Sequence, residues 1–376
     1  MSTPPNDYFD LGSWQSWNFM DWSTGTVNQQ ALNEWLESYA SQAKGGGLGE
    51  VTLSFGQIQD LQDIVSGNFQ GCTSSDDGLK MLAENTNDVT VGGQNILQYI
   101  VGQLNSDGLK VELSFGGATA TAQDWNFGFS STNTPQSQAQ QLSTWAQAMG
   151  FSGIDFDMEN GTETMLEENG ASNVAQFFAS LHSDLEPHGI TSTLTVMGDT
   201  TDWGIEPASQ GGNYLCGMFQ QGYNFSQMFD GINLMLYNGQ YYLNAGQQPL
   251  QSWDLTTWIN QLAQNTGLTP GQCAGYVHVG FSDGVNYTQA SSSGGPLPYT
   301  SPMPSNLNNG QAAAWIYEQI TQELQSYYND PSLTLGSSFF WDGNANYSVN
   351  QQDPESQFFT NNTFDLDFLN YLKQNP

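Results

Sequence analysis

The sequence predicts an α/β protein built as a single (β/α)8 (TIM) barrel, and three observations predict it. Eight short apolar, β-prone runs recur along the 376 residues. Segments of helical periodicity separate them, which is the pattern of a parallel sheet made of βα units. Polar and acidic residues gather where the runs end, and a barrel of this kind carries its chemistry at the C-terminal ends of its strands. A chain of this length suits two ordinary domains or one large barrel. The unbroken alternation favours one domain spanning 1–376.

In order, the expected strands are LGSWQSWNFM from Leu11, EVTLSFGQI from Glu50, KVELSFGGA from Lys110 and GIDFDMEN from Gly153. TSTLTVMGD from Thr191, GINLMLYNG from Gly231, AGYVHVGFSD from Ala274 and GSSFFWDGNAN from Gly336 complete the set. Helices are expected near 28–43, 92–106, 135–149, 171–187, 253–265, 310–328 and 364–373, with a short one around Gln220 to Phe229. Long βα loops follow the second strand (59–91) and the seventh (284–309). Connections of that length are usually functional, and these two fall on the substrate side of the barrel.

Composition narrows the function. The net charge of −33 arises from 4 basic residues, all lysine, against 37 acidic ones. Nucleic acid is excluded as a partner because its binding rests on Lys and Arg neutralising phosphates. An anionic membrane surface is disfavoured for the same reason. Cys72, Cys216 and Cys273 and His182, His188 and His278 show no ligand spacing, so neither a metal site nor a cofactor is expected. No apolar run reaches the roughly 20 residues of a membrane span. The first residues, MSTPPNDYFD, have neither the charge nor the apolar run of a signal peptide, so an extracellular enzyme would reach its place through a removed leader or leaderless export.

The chemistry concentrates in GFSGIDFDMENGTE, from Gly150. Side chains alternate along a strand, so Asp155, Asp157 and Glu159 share one face while Ile154, Phe156 and Met158 share the other. Three acids projecting into a barrel cannot all ionise freely; protons are shared and at least one pKa rises. A raised value on Glu159, nearest the mouth, would make it a general acid near neutral pH. Glu163 lies beyond the strand and is expected in solvent. The competing reading is a solvated edge strand.

GIDFDMENG resembles the central strand of family 18 glycoside hydrolases, whose fourth barrel strand carries DxxDxDxE. KVELSFGGA resembles that family's third-strand SxGG motif through Ser114, Gly116 and Gly117. LMLYNG, with Met235, Tyr237 and Asn238, is similar to the sixth-strand motif of the hevamine-like and bacterial chitinase branch, and FFWDGN to the eighth, with Trp341 inward. The resemblance implies cleavage of β-1,4 bonds beside N-acetylglucosamine by substrate-assisted retention. In that scheme Glu159 protonates the leaving oxygen, and the substrate's acetamido carbonyl attacks the anomeric carbon. Asp157 holds the acetamide N–H and alternates between Asp155 and Glu159. Tyr237 fixes the acetamide oxygen and Trp341 floors the distorted sugar. One position departs from the pattern: Ser152 stands where the first Asp belongs, which would alter how Asp155 and Asp157 share a proton.

The expected partner is therefore chitin or an N-acetylglucosamine oligosaccharide. Trp125, Trp203, Tyr241, Tyr242 and Trp253 follow expected strands and are candidate stacking platforms for sugar rings. Two rivals stand beside a chitinase. One is an endo-β-N-acetylglucosaminidase acting on N-glycans with the same acids. The other is a non-catalytic chitin-binding subunit of a larger, toxin-type protein assembly, against which the retained Glu159 argues.

Overall fold

A computed structural model describes residues 6–10, 20–21, 26–66, 90–91, 94–159, 161–198, 200–206, 214–235, 255–282, 287–289, 303–341 and 364–374. Its central sheet is parallel: β1 (Asn6–Asp10), β2 (Glu50–Gly56), β3 (Lys110–Gly116), β4 (Gly153–Asp157), β5 (Thr191–Met197), β6 (Gly231–Met235), β7 (Val277–Ser282) and β8 (Ser338–Trp341). Each strand pairs with its sequence neighbours. β1 meets both β2, from Asn6↔Glu50 to Asp10↔Ser54, and β8, at Asn6↔Phe339, so the sheet curls round into a closed barrel.

Seven strands fall within the expected runs. The first does not: Asn6–Asp10 pairs with β2, upstream of the run from Leu11, which lies outside the described residues apart from Met20. The tryptophan-rich run had the composition of a strand, but the shorter NDYFD supplies the ladder.

The helices form an outer layer. α1 (Gln29–Gly46), α2 (Ile58–Ser66), α3 (Ile96–Ser106), α4 (Pro135–Met149), α5 (Thr162–Asn169), α6 (Ala171–Leu185), α7 (Leu255–Thr266), α8 (Pro270–Ala274), α9 (Asn309–Tyr328) and α10 (Phe364–Gln374) follow the chain, with single-turn helices at Thr200–Trp203 and Cys216–Phe219. α2, α5 and α8 were not expected; all are short, and α2 takes up the start of the long connection after β2, of which 67–89 lies outside the described residues. Between β7 and α9, a 3-10 turn at Tyr287–Gln289 is described and 290–302 is not. Local chemistry fixes the helix ends. α4 starts at Thr134, whose hydroxyl accepts the Ser137 N–H, has Pro135 in its first turn, and stops at Gly150 with φ 86.

The layer between strands and helices is apolar and aromatic. Phe115, Phe127, Phe156, Phe177, Phe178, Phe225 and Phe229 are buried there. Each ring taken from water contributes roughly 1.5–3 kcal/mol. No described helix is long and apolar enough to cross a membrane.

Candidate active site

β4 owes its orientation to its outer face. Ile154, Phe156 and Met158 are fully buried. Phe156 stacks on Phe115 of β3 (5.9 Å) and meets Phe178 of α6 edge-on (4.8 Å). A one-residue slip would put these rings inside the barrel and the acids in the aromatic layer, so the register is strongly specified. Asp155 and Asp157 consequently project inward, with Glu159 two residues beyond the strand end.

Asp155 sits deepest and is held from several strands. Its Oδ2 accepts from Ser114 Oγ (2.6 Å) and its Oδ1 from Thr193 Oγ1 (2.7 Å), Thr195 Oγ1 (2.7 Å) and Asn233 Nδ2 (3.2 Å). Such a donor set suits an ionised carboxylate, because hydrogen bonds to charged acceptors are short and strong. Asn233 also donates to Thr195 Oγ1 (2.9 Å), so its amide oxygen is the acceptor for His278 Nδ1 at 2.8 Å. The His278 ring is then the Nδ1–H tautomer. Desolvation pushes its pKa down to about 4, in keeping with a neutral imidazole near pH 7. Gly231 and Gly336 make room for the ring: a Cβ on either would come within 2.8 and 2.3 Å of it.

Asp157 is treated differently. It is 3% exposed, yet its Oδ1 has no hydrogen-bond partner among the described residues. Burial, and then the charges of Glu159 and Asp155, push its pKa well above the ordinary carboxylate value. Among the described residues two other buried polar atoms lack partners, Gln57 Oε1 and Thr162 Oγ1. Gln57 directly follows β2, and the Thr162 N–H donates to the Glu159 carbonyl. All three orphaned atoms therefore lie at the C-terminal ends of strands, in or just beyond them. Buried polar groups are nearly always paired, so this concentration at one end marks where a polar ligand would complete the set.

The SxGG stretch serves the backbone. Gly116 (φ +109) and Gly117 (φ +91) adopt conformations that favour glycine, and a Cβ on Gly116 would lie 2.2 Å from the Asp157 carbonyl oxygen. Gly117 N–H donates to that same oxygen (3.0 Å). These glycines bring β3 and β4 together beside Asp157, while Ser114 reaches Asp155. Trp125 needs correcting as a sugar platform: it is 1% exposed and lies over Gly116, so its face is covered by the protein itself. Met235 is buried too, in a small cluster with Phe339, Met197 and Trp341. Trp341 keeps part of its surface and stacks on Phe55 at 5.4 Å. Trp203 is half-buried against Tyr214. Tyr237, Asn238, Tyr241, Tyr242 and Trp253 lie outside the described residues, as does the side chain of Glu163.

A column of buried acids at the C-terminal end of the fourth strand, based on a hydroxyl from the third, has a counterpart among known families. The profile described as "Glycosyl hydrolases family 18" matches residues 19–371. The chain belongs to that family. A comparison with curated proteins found no match. Among solved structures, a GH18 chitinase from Pseudoalteromonas aurantia is similar over 100% of both chains at 15% identity, with a TM-score of 0.52. Catalytic domain 2 of the Ostrinia furnacalis Group II chitinase aligns over 99% of this chain and 97% of its own, at 12% identity and a TM-score of 0.51. At such identities these likenesses concern the fold.

Several residues around Asp155 were not singled out for this site in the sequence: Thr193, Thr195, Asn233 and, beyond its lack of ligand spacing, His278. Parity was the available signal. In TLTV from Thr193 and in GINLM the polar residues Thr193, Thr195 and Asn233 alternate with apolar ones, and an inward face is the natural home for them. Ser152 has the opposite parity from Asp155. Its hydroxyl donates to the Val111 carbonyl (2.9 Å).

Proposed function

We propose that the chain is a chitinase that hydrolyses β-1,4 bonds between N-acetylglucosamine units with retention, using the substrate's own acetamide as nucleophile. The observation that supports this best is Asp157: a buried carboxyl with a raised pKa and one unpartnered oxygen, between a fully hydrogen-bonded Asp155 and Glu159. A group that holds a proton on one side and lacks a partner on the other is suited to grip an acetamide N–H as charge develops. Glu159 is the proton donor to the leaving oxygen. Asp155 stays the fixed anionic base of the column. Trp341 provides an apolar floor, and Tyr237 and Asn238 complete acetamide binding. The partner is chitin or its oligosaccharides.

The test is turnover of a chromogenic N-acetylglucosamine oligomer by the parent and by Glu159→Gln. The amide keeps the shape and cannot donate the proton, so we expect a loss of about 10²–10⁴-fold in kcat with oligomer binding retained. Residual activity within tenfold of the parent sinks the assignment of Glu159. Cleavage of N-glycan cores in preference to chitin oligomers would replace the substrate with the endo-β-N-acetylglucosaminidase one. Binding without any turnover by the parent would support a chitin-binding subunit.

A further inference from the structure

Below Asp155 the barrel holds another carboxyl that the reaction scheme does not use. Glu112 of β3 is 4% exposed and stands opposite Gly153 in register, one inward position before Ser114 and Asp155. Its Oε1 accepts from Thr191 Oγ1 (3.0 Å) and its Oε2 from Thr52 Oγ1 (3.3 Å). It also hydrogen-bonds the carboxyl of Glu50, the first residue of β2. The space is made for it. A Cβ on Gly153 would lie 2.1 Å from Glu112 Oε1 and 2.6 Å from Thr191 Oγ1.

Two carboxyls that hydrogen-bond each other need a proton between them. Its placement follows from the surroundings. Glu50 is half-buried, and burial raises its pKa, but Lys110, its register partner, and the hydrogen bond from Glu112 pull it back, so of the two it is the more readily ionised. Glu112 faces Glu50 on one side and Asp155 on the other, and burial and both charges raise its pKa well above the ordinary value. Glu112 is therefore the neutral acid and donor, and Glu50 the anionic acceptor. Glu50, Lys110 and Asp155 are the titratable groups acting on this pair among the described residues; His278 is linked to Asp155 through Asn233.

We propose that Glu112 and Glu50 form a proton-sharing pair that completes the acidic column at its base, and that Glu112 is a positioning residue acting on the reaction through Asp155. A neutral Glu112 keeps the layer beneath Asp155 free of charge. An ionised one would add a like charge to the column, making every carboxyl above it harder to ionise. Glu50 thus holds Glu112 neutral by accepting its proton in a hydrogen bond. The effect on rate rests on the hydrolase reading above, whereas the pair itself does not.

The experiment compares the full-length parent, Glu50→Gln, Glu112→Gln and the double variant. With the chromogenic oligomer, Glu50→Gln lets Glu112 ionise at lower pH, and both limbs of the kcat/KM profile move upward by on the order of half a pH unit. In the double variant, residue 112 cannot ionise and the upward movement caused by Glu50→Gln is absent. A purely structural role would change rates without this cancellation. An equal shift in single and double variants overturns the proposal. Thermal midpoints between pH 5 and pH 8 are read on the same proteins, so an inactive parent counts against the hydrolase reading alone. Glu112→Gln should flatten the parent's loss of stability with rising pH, and identical slopes overturn the pair.

Discussion

The two faces of β4 are equally buried and follow opposite rules. Outward, Ile154, Phe156 and Met158 are fully buried against apolar partners, and their burial stabilises the fold. Inward, Asp155, Asp157 and Glu159 are 0, 3 and 5% exposed, and burying a carboxylate costs free energy unless hydrogen bonds replace its water. Burial alone therefore does not distinguish packing from chemistry. The supply of donors does: Asp155 accepts from four side chains, whereas Asp157 Oδ1 accepts from none among the described residues. The lower acid is built into the barrel. The upper one keeps an oxygen with no partner among the described residues.

The comparison is broken most severely from the outer face. Phe156→Ala removes a ring that contacts Phe115, Phe177 and Phe178 and leaves a cavity in the aromatic layer. We expect a loss of about 3–5 kcal/mol in urea unfolding. A loss under 1 kcal/mol would mean that β4 does not owe its register to this face.

On the inner face the sign should reverse. Asp157 has a raised folded-state pKa, so it contributes stability that is fully present below its unfolded value and lost as pH rises through the folded one. The parent should therefore unfold at higher temperature in mildly acidic buffer than at pH 7. Asp157→Asn removes the buried charge and one side of its repulsion with Asp155 and Glu159. We expect a gain of about 0.5–2 kcal/mol at pH 7, with a flatter pH dependence and impaired turnover. A destabilised Asn variant would show that the Asp157 carboxylate is already well satisfied in the free protein.

Much of this was legible in the sequence because it depends on parity. The alternation in GIDFDME separates the two faces, and seven strands lie inside the expected runs, since β-branched and aromatic periodicity is local information. What the sequence hid depends on neighbours across the sheet. Whether Asp155 or Asp157 receives the donors is decided by Thr193, Thr195 and Asn233 arriving from β5 and β6. Their positions follow from register rather than spacing. Trp125 looked like a sugar platform because it follows a strand. Its ring instead covers the gap left by Gly116, a contact between two β3-side segments that only folding brings together.

Ser152 sharpens the comparison with the smallest expected effect. The family pattern suggests that residue 152 bears on proton sharing between Asp155 and Asp157. Its contacts argue otherwise: it sits half-buried just before β4, and its hydroxyl is spent on the Val111 carbonyl. The acid that does reach the interior beneath Asp155 is Glu112, from the neighbouring strand. Ser152→Ala removes a single side chain–backbone hydrogen bond, and the backbone N–H of residue 152 still donates to Val111 O. We expect a loss of about 0.5–1.5 kcal/mol in urea unfolding, since the bond is only partly shielded from water. The pH–rate profile should superimpose on the parent's, because no charge near the column has changed. A displacement of half a pH unit would return residue 152 to the electrostatics of the acids and erase the division between the faces of β4 at this end.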